Sequence, residues 1–384
     1  MTGNSILSCS IKNLCLYSFI GLCSAYLTTL TRFSPYYFGL GITFLFSFIL
    51  LLYNEKIQLN SIIRKNLSFL SLIVFYTFIN ASLTNTMEKL VSLLFLVFIN
   101  QGSVLAGYVV CSKCNRQKIK NALNLYFYIA VIIGIIDFMY RIATRSDLYT
   151  GSQFFYNFKG TSVMFTDSNW VGFIYMIAFS FFLYLNKEHH LVTSKKVFIL
   201  FFICFFSFSR AAQISCILVY LYAKYHKAGK KTKKYILIFI IICFTISAPS
   251  ILFFLSRDDS FQTKLVILKG LANYLQYIPT EKLFIGFGSE FATSDAAGVY
   301  TNSYVLGHLY LVIKIMDMGF IGLFLDFVFF YFLFVATNKK FTYLFIPFFI
   351  CGLSMCPTNL SYLFVFAGIM LNLENMKESK ISNV

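Results

Sequence analysis

Charge is the scarcest thing in this sequence. Only 12% of its 384 residues are Asp, Glu, Lys or Arg, against 58% hydrophobic and 20% aromatic, and apolar runs recur from one end to the other. No soluble domain reads this way. Also absent are a phosphate-cradling Walker loop, a dinucleotide GxGxxG following a strand, and a GxSxG nucleophile elbow, so ATP-driven chemistry and serine hydrolysis lack the residues to carry them. No carboxylate–histidine cluster has metal-ligand spacing, and no cofactor is expected. The one close cysteine pair, Cys111 and Cys114 in CSKCNRQ, has no second CxxC or HxxxH to complete a zinc or redox site. The sequence shows neither an internal repeat nor a detachable soluble domain.

What remains is a polytopic helical membrane protein. Spanning a hydrocarbon core of about 30 Å takes about twenty apolar residues per helix. Windows of that kind place spans near 13–31, 36–53, 67–83, 90–111, 123–142, 169–186, 197–209, 211–223, 235–256, 319–337, 341–356 and 359–373, an all-α fold of about twelve crossings over residues 1–384. The first apolar stretch lacks a small-residue cleavage site and is read as a retained span. A net charge of +17 could suggest nucleic acid, but most of the 32 basic residues sit in short breaks between spans. With both termini cytoplasmic they fall inside, as orientation signals do, and no nucleic-acid partner is expected.

One arginine stands out. In CFFSFSRAAQISC, Cys204 to Cys216, Arg210 interrupts a nearly unbroken apolar run, and a cation there points to function until a partner explains it. A single span over this region would put the basic segments at Lys195-Lys196 and at KYHKAGKKTKK on opposite faces, so a hairpin is expected. Each arm of about thirteen to sixteen residues reaches about 20–24 Å, short of the hydrocarbon thickness. Arg210 then lies at a recessed, outward apex and opens the returning helix, whose free N–H groups and positive dipole end add to its charge. The competing reading is a structural arginine neutralised by Asp326.

Two longer outer loops are expected, at 143–168 and 257–304. The first carries Arg145, Lys159, Asp167 and Asn169 among aromatics, although Asp167 and Asn169 also suit the cap of the following helix. The second opens with Arg257, which could equally be a boundary anchor, and contains a helix with apolar residues at Leu265, Leu268, Leu271 and Leu275 and Lys264 beside them, closed by Pro279. That helix is expected along the outer interface. Beyond it come Gly286-Phe287-Gly288 and His308, the only outward one of the four histidines, which is either a wall residue or a proton acceptor near neutral pH. His189, His190 and His226 fall in cytoplasmic loops and call for no chemistry. Asp137 and Arg141, four residues apart, are expected to pair along their helix.

The SFSRAA hairpin at 207–212, Arg257 ahead of the loop helix, GFG, and His308 eleven residues before Gly319 together resemble the Wzy-type O-antigen polymerases and the related O-antigen ligases. The resemblance covers the architecture of the whole chain. It implies a metal-independent, inverting glycosyltransferase at the outer face of a bacterial inner membrane, acting on glycans carried by undecaprenyl pyrophosphate. It implies that Arg210 and Arg257 stabilise the departing pyrophosphate and that His308 takes the acceptor hydroxyl proton. Arg145, Lys159, Asp167, Asn169 and Lys264 become substrate-binding candidates. Partners would be lipid-linked oligosaccharide, membrane lipids, and the chain-length regulator and flippase of the same pathway. The rival functions are ligation to lipid A-core and, from a different class, transport of lipid-linked oligosaccharide.

Overall fold

The computed structural model describes residues 16–27, 35–53, 61–112, 114–148, 157–158, 162–164, 168–235, 237–238, 259–294, 309–353 and 361–381; every regular element among them is helical. Helix α1 covers 16–22 and tightens into a 3-10 turn over Cys23–Leu27. There follow α2 (Pro35–Tyr53), α3 (Ser61–Leu83), α4 (Leu90–Ser112), α5 (Arg116–Ala143), α6 (Ser168–Tyr184), α7 (Ser194–Phe205) and α8 (Arg210–Lys227). The second half holds α9 (Asp259–Tyr277), α10 (Thr280–Ile285), α11 (Tyr310–Ala336), α12 (Thr342–Gly352) and α13 (Ser361–Ile381). Five helices among the described residues are long and apolar enough to cross a membrane: Ser61–Leu83, Met87–Ser112, Arg116–Ala143, Asn169–His189 and Tyr310–Ala336. Tyr37–Leu51 and Thr342–Gly352 are shorter apolar helices. The chain is an all-α, membrane-embedded protein. The span expected at 235–256 lies almost wholly outside the described residues.

Burial separates one of the five from the rest. The apolar window of Asn169–His189 is 83% buried within the protein, whereas the other four are 33–44% buried. Those four leave their remaining apolar surface for lipid, and α6 is the central post. Helices α7 and α8 pack on it and on each other, so the expected hairpin forms, with its arms joined where Cys216 Sγ lies 3.2 Å from Cys204 Sγ. Helix α13 lies along α4, and its Phe366 stacks on Phe181 of α6 with ring centroids 4.3 Å apart.

Helix α11 departs from the expected span at 319–337: it begins at Tyr310 and breaks at Gly319, where φ is 64° and ψ −173°. Along an unbroken helix Tyr310 and Asp326 would stand about 24 Å apart at 1.5 Å per residue. Instead the Tyr310 hydroxyl donates to Asp326 Oδ2, and Lys314 Nζ lies 2.9 Å from the same oxygen. With that rise, ordinary side-chain reach and a Cα radius of about 2.3 Å, the arms 310–318 and 320–336 meet at an angle below about 90°. The element is a re-entrant hairpin with Gly319 at its apex.

The break frees backbone carbonyls that a bilayer interior cannot hydrate. Phe287 N donates to Met316 O at 2.9 Å, Gly288 N to Asp317 O at 3.0 Å, and the Tyr76 hydroxyl to Met318 O at 2.5 Å. Asn80 Nδ2 reaches Ile285 O at 2.6 Å and fixes the connecting loop from the same side. The Gly286-Phe287-Gly288 segment, a weak signal in the sequence, is therefore the splint for a broken helix.

Helix α9 forms as expected, but its buried face is different. Ile267 and Tyr274 are fully buried in one cluster with Leu309, Val312, Ile315 and Met316, with Leu271 and Ile278 packed against it. That set has i, i+4, i+7, i+11 spacing and defines one helical face. Of the stripe expected from the sequence, Leu268 and Leu275 are 50% and 39% exposed. The helix thus has two apolar sides, one of them against the α11 arm.

A third departure concerns His189, which is no solvated loop residue. A π-helical turn over Leu185–His189 extends α6 and leaves the imidazole only 9% exposed, with Nε2 2.8 Å from Glu374 Oε1. The Tyr184 hydroxyl donates to the same carboxylate at 2.7 Å and Lys340 closes it from α11's far end. Burial would raise the Glu374 carboxyl, but these hydrogen bonds outweigh it and hold the group down at about 2. A depressed acid contributes stability that is complete above its unfolded pKa of about 4.3 and is lost as pH falls toward the folded value. Acid unfolding followed by circular dichroism is expected to show a limb between those two values. Glu374→Gln removes that limb and lowers the neutral-pH melting temperature, because it leaves the Lys340 charge buried without its carboxylate.

Candidate anion site at the head of a short helix

Arg210 opens α8, and the turn before it is built in detail. Helix α7 ends at Phe205, and the chain reverses through Phe206–Ser209 with Ser207 Oγ donating to Cys204 O at 2.6 Å. Ser209 is extended at φ −89°, and its Oγ caps α8 by accepting from Ala212 N at 3.4 Å. The same hydroxyl donates to Asn169 Oδ1 at 3.1 Å, which ties the cap to the first turn of α6. Gly172, less than one turn further along α6, lets the backbones meet: a Cβ there would stand 2.5 Å from Ser209 Cβ and 2.8 Å from Ser207 Oγ. Arg210 is partly buried above this crossing, at a helix start whose leading N–H groups have no intrahelical acceptor and carry partial positive charge.

A second cation arrives from α9. Lys264 is half-buried there; burial pushes its ammonium below the ordinary lysine range, and the Arg210 guanidinium pushes it further down. Two like charges at Coulombic range, beside a positive dipole end, make a location where a multiply charged anion is stabilised. Lys264 belongs to the set expected from the sequence, and so does Asn169, which acts by holding the cap.

The Asp137–Arg141 pair forms as expected, with Nε 2.7 Å from Oδ2 and side chains only 4% and 0% exposed. Its role is larger than pairing along one helix. Asp137 Oδ1 accepts from Ser162 Oγ at 2.6 Å and Val163 N at 2.9 Å, and Arg141 Nη1 donates to Phe158 O at 3.0 Å. The pair clamps part of the segment between α5 and α6 onto α5. Phe158 then stacks on Phe208 with centroids 4.9 Å apart, and Phe208 has a left-handed φ of 58° that a bulky residue adopts only when its surroundings impose it. The clamp therefore positions the turn that presents Arg210. Asp137→Ala leaves Arg141 as a buried charge without its carboxylate, and a loss of about 3–5 kcal/mol in unfolding free energy is expected. Chemical denaturation in detergent checks it, and the Asp137→Leu/Arg141→Met double variant should recover most of the loss.

Asp326, the alternative neutraliser of Arg210, is engaged with Lys314 and Tyr310 on its own helix. Arg145 is half exposed and stands 3.4 Å from Asp147, a local surface pair. Arg257, His308, Lys159 and Asp167 lie outside the described residues. From the foot of the Arg210 turn a cavity of about 370 Å³ runs along α5 and α7, headed by Asp137 and Ser207 and walled by apolar side chains such as Phe138, Phe198 and Phe202. Ile135, Phe198 and Phe202 on its wall are exposed, as the sides of a lipid-facing groove would be. No protein-family model matches this chain, and no curated protein matches it.

Proposed function

We propose that this protein is a polytopic glycosyltransferase of the bacterial inner membrane, an O-antigen polymerase that moves a growing glycan from undecaprenyl pyrophosphate onto the next lipid-linked repeat unit. The observation that carries the reading is Arg210 at the N-terminus of α8, with Lys264 of α9 within Coulombic range of it. A pyrophosphate leaving group is a multiply charged anion on a lipid, and the apolar groove starting at Ser207 suits its tail. In this reading the chain threads the membrane about twelve times with both termini inside, and the Arg210 apex faces the periplasm.

The acceptor hydroxyl attacks the anomeric carbon from the face opposite the pyrophosphate, the C–O bond to phosphate breaks, and the configuration inverts. Negative charge grows on the departing oxygen, where fixed cations at a poorly hydrated helix end stabilise it as it develops. His308 receives the hydroxyl proton. Arg257 precedes α9 by two residues and would add a third cation.

The test is reconstitution with purified lipid-linked repeat units. Wild type should build a ladder of products; a protein that only joins finished chains to lipid A-core would leave single repeats unjoined, and the polymerase reading would then be lost. The re-entrant hairpin of α11 favours one second reading, a transporter, since broken helices line substrate sites in such proteins. Movement of the lipid-linked sugar across vesicles without any new glycosidic bond would establish that alternative.

A further inference from the structure

The re-entrant arm of α11 encloses a second cavity, of about 360 Å³, between itself, α3, α4 and α13. The residues that line it include Asn100, Gln101, Lys314 and Asp326, polar groups in helices that otherwise face apolar surroundings. Polar side chains at such depth are expensive and mark sites. Gln101 carries the argument: the residue is 6% exposed, lines the cavity, and its Oε1 has no hydrogen-bond partner among the described residues. An orphaned acceptor in an apolar bundle costs about 1–3 kcal/mol, and a donor brought by a ligand removes that cost.

Charge identifies the kind of ligand. Lys314 is matched by Asp326 at 2.9 Å, and Lys89 by Glu290 at the rim, also at 2.9 Å. Asp317 already accepts from Ala292 N at 2.8 Å and Glu290 N at 3.1 Å. Two lysines thus stand against three carboxylates, a balance that disfavours an anion, and the carboxylate left over, Asp317, is already taken up by those two backbone N–H groups. What the cavity offers is acceptor atoms beside flat apolar walls, Leu93, Phe329 and Phe364 among them. Hydroxyl groups on a ring with apolar C–H faces fit both. A volume of this size lies within the range of about 300–1,000 Å³ typical of small-ligand sites.

We propose that this cavity binds a neutral, hydroxyl-rich sugar ring, separately from the anion site at Arg210. The inference goes beyond the proposed transfer reaction: binding here requires no turnover. If transfer does occur, the cavity gives the acceptor sugar a seat of its own, and that extension alone rests on the transferase reading.

The experiment uses the full-length protein in lipid nanodiscs with an alkyl glucoside carrying a photoreactive diazirine on the sugar, and maps labelled peptides by mass spectrometry. Labelling is expected on α4 and on the 310–318 arm, with competition by free maltose. Gln101→Leu should reduce it at least tenfold. Leu96→Trp, which fills the cavity without touching its polar atoms, should do the same with a near-native melting temperature. Arg210→Lys should leave labelling intact even where it abolishes transfer, which separates this proposal from the enzymatic one. The proposal is overturned if Gln101→Leu raises the melting temperature and leaves labelling unchanged. It is equally overturned if an alkylammonium diazirine of the same chain length labels these peptides as well as the glucoside does.

Discussion

Under the proposed transfer reaction, Arg210→Lys is expected to lower glycan transfer by about 10²–10³-fold, the loss associated with removing one preorganised stabiliser of a developing oxyanion. Charge is retained, so simple attraction of the substrate survives. What disappears is the planar fork that holds two phosphate oxygens at once. The variant should fold normally, because Arg210 is only partly buried and stands outside the hydrophobic core. Single-turnover assays with lipid-linked repeats measure the effect, and a variant within threefold of wild type would remove the anion site from the mechanism. Lys264 supplies the pH signature. Burial first and the Arg210 guanidinium second hold its ammonium below the ordinary lysine range, so it gives up its proton at a lower pH than an exposed lysine does. Transfer should therefore fall on the alkaline side earlier than an ordinary lysine would dictate. In Arg210→Gln that limb should move to higher pH, since one of the two causes of the depression is gone.

Gly319→Val is expected to abolish folding. The positive φ costs a β-branched residue about 1–2 kcal/mol by itself, and a Cβ would stand 2.2 Å from Phe284 O, a backbone atom locked by the splint. The hairpin cannot open to relieve the contact without stranding the carbonyls of Met316, Asp317 and Met318. Together these effects exceed about 4 kcal/mol, a large share of a typical protein's stability. Gly319→Ala carries the same clash with a smaller side chain and should accumulate at reduced yield with a lowered melting temperature. Gly229→Ala is the control: a Cβ there meets nothing within 4 Å, and its melting temperature should equal wild type. Size-exclusion profiles of detergent extracts decide among the three.

The fold and the site were legible in the sequence to different depths. Apolar run length found α3 to α6, because a helix facing lipid must be apolar nearly all round its circumference. Charge distribution found the α7–α8 hairpin, since one span there would have opposed two basic segments. Arg210 and Asn169 were candidates on chemistry, and they come together where Arg210 opens α8 and Asn169 holds its Ser209 cap. Depth could not be read, and that is where the errors lie. HLYLVIKIMDMGF has the composition of a loop edge followed by a span, and nothing local in it reveals that residues 310–318 double back against 320–336. That geometry is set by Tyr76 and Asn80, more than two hundred residues away. His189 misled for a related reason: its neighbours in sequence are basic and exposed, while its partner Glu374 comes from the last helix. The Asp137–Arg141 pair was visible, but its clamp on the loop was not, since Phe158 and Val163 take part through backbone C=O and N–H groups that any sequence possesses.

The doubled-back arm also fixes an order of synthesis. Lys314 meets its counter-ion only once Asp326 has been made, and the carbonyl of Met318 is held by the Tyr76 hydroxyl, made some 240 residues earlier. The arm can therefore take its final place only after the segment that follows it has been made. A stall in translation just short of Asp326 would leave a lysine-bearing stub that membrane quality-control proteases can grip.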